Sequence, residues 1–373
     1  MATLTLIAEP FPDWEAPAHA AAARDLTNAV AATAPRSCSA RYLMARGSAQ
    51  PAFASPVIRV DQLPMRAAML PYVWQSGTTA RPLDGEFVHA LTPMLPLRSR
   101  GEDDGSQTSV TIPHSLAWEA PALLGNAQAR LFRAFTRRAV KLADVILTPT
   151  HATARVLQRQ YGEHLPVQVL PLAPPAEYLA GSDAATRREA LALPERYALT
   201  TAMPGEFGRL EWLFDALRTD PSLPALVVLD GLDPRAPTKE HRDENGAHEI
   251  AIPAELHDRV TVVRPRELAD IGAVLSGAAL LVLPQSYSGT GYTVLGALSA
   301  GVPVLHADQD ATAELVLDAG VAAESAGPFA AEYSRLFRDA EALAQLSVLA
   351  CDRGRSYSWR GAAWQLWETH ANL

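Results

Sequence analysis

The residues best suited to chemistry form a short run, Ser286-Tyr287-Ser288-Gly289-Thr290-Gly291, between an apolar stretch and a helix-like segment opening at Tyr292. A small, glycine-bearing loop between strand and helix leaves backbone N–H groups free and aims the positive end of the helix dipole at whatever lies above it. That is an arrangement for holding phosphate. A second feature is His114, just past the alternating run Ser109-Val110-Thr111-Ile112. In open α/β sheets ligands bind at such carboxyl ends of strands, so His114 is read as a ligand contact over an ordinary loop histidine. A third is a cluster of cations, Arg130, Arg133, Arg137, Arg138 and Lys141. On a helix these give either a solvated face or a surface attracted to anionic lipid headgroups or a lipid-diphosphate acceptor. Asp13 and Glu15, in the proline-punctuated loop EPFPDWEAP, read as a solvated acidic rim.

The elements that must carry these residues follow from pattern. Residues 278–283 are an unbroken apolar run ended by Pro284, as expected of a buried parallel strand. The helix from Tyr292 stops at Gly301, a residue suited to a left-handed C-cap, and 303–305 is the next strand. Earlier strands are expected at 4–8, 42–45, 57–60, 87–89, 109–112 and 167–170, with another within 143–150. Helices are expected at 18–32 and 151–162, and 127–143 is the clearest amphipathic one. A polar exposed loop is expected at 101–108. Pro171-Leu172-Ala173-Pro174-Pro175 reads as a linker. A second α/β unit then runs through strands at 197–202, 225–229 and 259–263, helices at 210–217 and 267–275, and a charged loop at 231–246. Trp359, Ala363, Leu366 and Trp367 share one face of a final helix, read as a domain clasp.

Length and charge set bounds. A chain of 373 residues is long for one core and suggests two domains. A net charge of −9 argues against a nucleic-acid partner. Cys38 and Cys351 lie far apart with no metal-ligand spacing, as expected of a reduced protein. The opening residues lack a signal-peptide pattern, and no run approaches the ~18 apolar residues that span a bilayer. The expected location is cytoplasmic, with peripheral contact at the inner face of the membrane through the Arg130–Lys141 region.

The stretch 280–318 is similar to the nucleotide-sugar motif of the retaining glycosyltransferases of family four, which have the GT-B fold. That motif runs roughly P-S-x-x-E-G-F-G-x-x-x-L-E-A-x-A-x-G-x-P-V. Pro284, Ser286, Gly289, Gly291, Leu295, Ala297, Ala300, Gly301, Pro303 and Val304 keep its frame, while Ser288 and Gly296 stand where the two glutamates would be. His114 matches the histidine of a V-x-x-x-H-D segment that faces the donor sugar, with Ser115 in place of the aspartate. The segment 143–150 resembles A-D-x-(I/V)-x-(T/V)-x-S.

The resemblance implies an α/β protein of GT-B fold, with two Rossmann-like domains facing across a cleft and a C-terminal helix returning to the N-terminal domain. The implied domains are 1–172 on the acceptor side, 173–355 for the nucleotide-sugar, and 356–373 as the returning helix. It implies transfer of a hexose-type sugar, with retention, from a nucleotide-diphosphate donor to a glycan, lipid-linked or small-molecule acceptor. No cofactor or metal is implied. His114 is the catalytic candidate, and Ser288, Gly289, Thr290, Gly291, Tyr292, Arg209 and Glu314 are the donor-binding candidates. Arg209 is the nearby cation for a phosphate clamp, with Arg264 and Arg266 behind it, because the family's Arg and Lys after the first strand of the second domain are absent. The loop after the first strand also lacks the family's glycines. Loss of the ribose-holding carboxylate at Gly296 would hurt least for a 2′-deoxy donor such as a dTDP-sugar. The competing expectation is a catalytically silent GT-B protein that serves a partner transferase or binds carbohydrate.

Overall fold

The computed structural model describes residues 2–76, 87–97, 105–203, 205–231 and 250–373. Most of the charged loop expected at 231–246, and the first part of the polar loop expected at 101–108, lie outside those residues. The chain divides into two units, Met1–Ala173 with Ser358–Leu373, and Pro174–Tyr357.

Unit 1 is built on seven parallel strands: β1 (Thr3–Ile7), β2 (Ser39–Met44), β3 (Arg59–Gln62), β4 (Phe87–Ala90), β5 (Gln107–Thr111), β6 (Val145–Thr148) and β7 (Val167–Val169). Their order is β3-β2-β1-β4-β5-β6-β7. Central strands read as continuous apolar runs because helices cover both faces; every residue of β6, Val-Ile-Leu-Thr, is buried. The order reverses between β1 and β4, which makes the loops beyond these strand ends the natural place for a ligand. β3 starts two residues later than its apolar pattern suggested. It is an edge strand, with Val57 76% exposed, and it is held to β2 by an Arg41–Asp61 ion pair of 2.5 Å in the Arg41↔Arg59, Leu43↔Asp61 register. Burial therefore says little about where it begins.

The Trp359–Ala371 helix belongs to unit 1 and packs on the Ala16–Thr33 helix. Trp367 is buried, and its indole N–H donates to Val30 O at 3.2 Å. Gln365 donates to Val169 O at 2.5 Å, and Thr369 donates to Gln168 Oε1 at 3.2 Å. His370 Nε2 lies 2.9 Å from Ser109 Oγ, which in turn lies 2.8 Å from His89 Nδ1. Ala363 and Leu366 are buried as expected, Trp359 only half so, while Trp364 is 52% exposed on the opposite face. Trp367→Ala is expected to destabilise unit 1 by about 3–5 kcal/mol, from lost packing and a stranded carbonyl. Trp364→Ala should change little, within about 0.5 kcal/mol; chemical denaturation of the two variants makes the comparison.

Unit 2 repeats the plan with six parallel strands: β8 (Tyr197–Thr201), β9 (Ala225–Leu229), β10 (Val260–Val263), β11 (Leu280–Leu283), β12 (Val304–Ala307) and β13 (Gly320–Ala323). The order β10-β9-β8-β11-β12-β13 reverses between β8 and β11. Leu213, Phe214, Leu226, Val228, Val282, Leu305, Phe329 and Tyr333 make a core between this sheet and its helices. Two parallel α/β sheets with their helices form the architecture the resemblance implied.

Candidate functional site

In unit 2 the switch point is bordered by the loops that follow β8 and β11. Gln285, buried behind the second loop, donates to Thr201 Oγ1 at 2.8 Å. Ser286 N donates to Phe207 O at 3.1 Å, and the Phe207 and Tyr287 rings meet edge to face with centroids 5.9 Å apart. The two loops are thus fastened to each other, and the second then turns into the Tyr292–Ser299 helix at Gly291.

Gly291 is needed there twice over. Its φ is +91°, and a Cβ on it would meet Leu315 Cδ1 at 2.5 Å. No side chain caps the helix that it starts, and the first turn carries no acidic residue. The positive end of its dipole therefore meets no carboxylate from its own first turn.

Of the other donor-side candidates, Ser288 is the one tied by its side chain to the helix that follows β12. Ser288 Oγ donates to Gln309 Oε1 at 3.4 Å. That same oxygen caps the Asp310–Val316 helix by accepting from Thr312 N at 2.8 Å. Glu314 is half-buried on that helix, with its carbonyl bound by Arg353 at 2.9 Å. Thr290 and Tyr292 are buried, so their contribution to the turn is backbone and packing. Arg209 caps the Leu210–Thr219 helix in a left-handed conformation, φ +49°, with its guanidinium 4.8 Å from the Trp212 ring centroid. Arg264 is engaged by Asp230 at 2.8 Å. Gly296 does not face an open pocket: a Cβ there would meet Leu275 Cδ1 at 2.8 Å and Tyr178 Cβ at 3.4 Å.

In unit 1 the structure corrects the reading of the acidic loop. Asp13 and Glu15 are no solvated rim. The side chains of Asp13 and His114 are 3% and 2% exposed, and Asp13 Oδ2 lies 3.6 Å from His114 Nε2. Glu15 Oε2 lies 3.9 Å from the buried His19. The loop turns inward because Asp13 Oδ1 accepts the Glu15 N–H at 2.9 Å and Phe11 anchors it against Phe132, edge to face at 5.0 Å. The His114 ring stacks on the same Phe132 at 4.8 Å and 17°. Burial lowers the His19 pKa to about 4, against the opposing pull of Asp13.

Sequence reading placed Asp13 on a solvated rim and missed His19. The one local signal was Glu15 and His19 four residues apart at the start of a helix that follows β1. Ser115, where the resembled motif has aspartate, hydrogen-bonds to Glu119 at the start of the Leu116–Glu119 helix.

The basic helix, Asn126–Leu142, presents fewer free cations than its sequence suggests. Arg133 donates to Ala117 O at 3.0 Å, and Arg138 donates to Leu97 O. Arg130, Arg137 and Lys141 remain exposed. Among the described residues no helix is long and apolar enough to cross a membrane.

Residues 226–339 match the family model described as glycosyl transferases group 1. Solved structures resemble the whole chain. Sucrose-phosphate synthase from Thermosynechococcus elongatus superposes with a TM-score of 0.72 at 18% identity, covering 100% of this chain and 99% of that one. Anabaena HepE in complex with UDP-glucose gives 0.68 at 15% identity, with 100% of both chains covered. WaaG, a glycosyltransferase involved in lipopolysaccharide biosynthesis, gives 0.62 at 17%, covering 97% and 98%. No curated protein matches. At these identities the structural likeness is one of fold, and the likeness to the family is confined to the matched segment, which contains the Ser286–Gly291 loop. Residues 226–339 are thus similar to the glycosyl transferases of group 1, and the chain as a whole shares the fold of the solved glycosyltransferase structures.

Proposed function

We propose that the chain transfers a hexose-type sugar from a nucleoside-diphosphate donor to a glycan, lipid-linked or small-molecule hydroxyl, with retention at the anomeric carbon. The observation that carries this reading is the glycine-bearing loop that turns into a helix at Gly291, at the switch point of unit 2. In such a transfer the bond from the anomeric carbon to the diphosphate oxygen breaks, the acceptor oxygen bonds to that carbon, and the acceptor proton is released. Negative charge grows on the departing diphosphate, and preorganised N–H donors stabilise it more in the transition state than in the ground state.

In this reading the backbone of Ser288 to Tyr292 holds the diphosphate, and Arg209 leaves Trp212 to join it. Glu314 and the Ser288 hydroxyl serve the sugar. His114 supplies ring nitrogens for a hydroxyl, and no metal ion is called on. HepE, of the same fold, is described in complexes with UDP and with UDP-glucose, which supports a nucleotide-sugar donor. The exposed Arg130, Arg137 and Lys141 suit an acceptor presented on an anionic lipid.

Calorimetric titration with UDP-, GDP- and dTDP-sugars tests the reading. Saturable binding of at least one, followed by its consumption in the presence of acceptor, is the expected result. Absence of binding at millimolar concentration would sink it. Binding with no turnover would favour an accessory protein, a reading that the loss of both motif glutamates supports.

A further inference from the structure

Three polar atoms at the His114 site have no hydrogen-bond partner: Asp13 Oδ2 and both ring nitrogens of His114. Buried groups left unmet are expensive, and they gather where function overrides stability. The ring is held flat on Phe132, so the choice that remains is which ring edge carries the proton. Asp13 settles that choice by chemistry. Its Oδ1 is committed to the Glu15 N–H, and its Oδ2 faces His114 Nε2 at 3.6 Å. A carboxylate oxygen only accepts, so the nitrogen facing it is the protonated one, and in a neutral imidazole the opposite nitrogen keeps its lone pair. His19, which also sits within the electrostatic reach of both groups, is kept neutral by burial and leaves the carboxylate charge for His114.

We infer that Asp13 is a positioning residue that holds His114 in the Nε2–H tautomer, so that Nδ1 is presented as the acceptor for a hydroxyl of the sugar substrate. The substrate half of this inference rests on the transferase reading; the tautomer half does not.

Asp13→Asn tests it without altering size. The amide oxygen keeps the Glu15 N–H at the Oδ1 position, so the NH₂ group takes the Oδ2 position and faces Nε2. A donor there demands a lone pair at Nε2 and drives the proton to Nδ1. Nitrogen-15 imidazole spectra of the full chain, with His114 assigned by its loss in His114→Gln, should show protonated Nε2 in the wild type and protonated Nδ1 in the variant. Turnover in that variant should fall about 10²–10⁴-fold in kcat, the range seen when a catalytic histidine is held in the wrong tautomer or a proton acceptor is lost. A fall in donor hydrolysis as large as in transfer would assign the hydroxyl to the donor sugar, and a fall in transfer alone would assign it to the acceptor. Protonated Nδ1 in the wild type would overturn the inference, as would unchanged kcat in a variant whose tautomer has inverted. A wild type that turns over no donor would count against the transferase reading, while the spectra would still decide the role of Asp13.

Discussion

Gly296→Glu, which restores the second glutamate of the resembled motif, is expected to destabilise unit 2 strongly instead of creating a nucleotide contact. The position is filled from outside. A Cβ would already meet Leu275 Cδ1 at 2.8 Å and Tyr178 Cβ at 3.4 Å, and both partners are themselves buried. Forcing extra methylenes into such a place costs about 1–3 kcal/mol. A carboxylate stranded among Leu275 and the Tyr178 ring adds about 1–3 kcal/mol more when it finds no partner, and more still if it stays charged. The sum, roughly 4 kcal/mol, is a large share of the 5–15 kcal/mol that holds a typical domain together. Ser288→Glu, on the half-exposed loop, has no such conflict and should leave stability within about 0.5 kcal/mol. Urea denaturation of the two single variants separates these cases. Tighter nucleotide binding by Gly296→Glu at undiminished stability would contradict this account and return the position to the ribose.

Acid should loosen unit 1 well above the pH at which carboxylates titrate. Burial lowers the pKa of His89 to about 3, helped by His370, and lowers that of His370 to about 4 in spite of Asp144. His19 is lowered to about 4 in the same way. All three titrate near 6.5 in the unfolded chain, so the folded state binds fewer protons below that value. Their contribution is complete above pH 6.5 and is lost as the pH falls, at about 1.4 kcal/mol per pH unit for each histidine. By about pH 5.5 the loss for three reaches about 4 kcal/mol. His306 in unit 2 is shifted in the same direction by burial. Denaturation midpoints at about pH 7.5, 6.5 and 5.5 should fall only slightly across the first interval and more steeply across the second. A flat profile down to about pH 5 would show that these imidazoles are charged or solvated in the folded state.

Much of the scaffold was legible because its signals are local. A run such as Leu280-Leu281-Val282-Leu283 is apolar on both faces only if both faces are covered, and Gly291 and Gly301 mark helix ends through their backbone freedom. The strand–loop–helix–strand unit that carries the candidate loop in unit 2 was legible for the same reason, since its elements are contiguous. The cluster in unit 1 was not. Asp13 and His114 come from loops after β1 and β5, and nothing near Asp13 distinguishes a carboxylate that turns inward from one on a solvated rim. The packing of Phe11 on Phe132 decides it, and that contact is invisible to periodicity. Arg133 and Arg138 show the same limit: both count in the cationic cluster of their helix, but which cations reach backbone carbonyls depends on neighbouring segments. Gly296 shows a related limit, because a motif position does not reveal that Leu275 and Tyr178 pack against it.

The tail that links Ser109, Gln168, Val169 and Val30 to residues 365–370 also sets an order of assembly on the ribosome. Unit 2 is one continuous stretch, Pro174–Tyr357, and can close as soon as it has emerged. Unit 1 begins first yet must wait for residues 358–373 before Ser109 and the carbonyls of Val169 and Val30 find their partners. Domains usually finish in the order in which they are translated. In this chain the half synthesised first is the half completed last, and until then its β5 and β7 surfaces are open to chaperones and proteases.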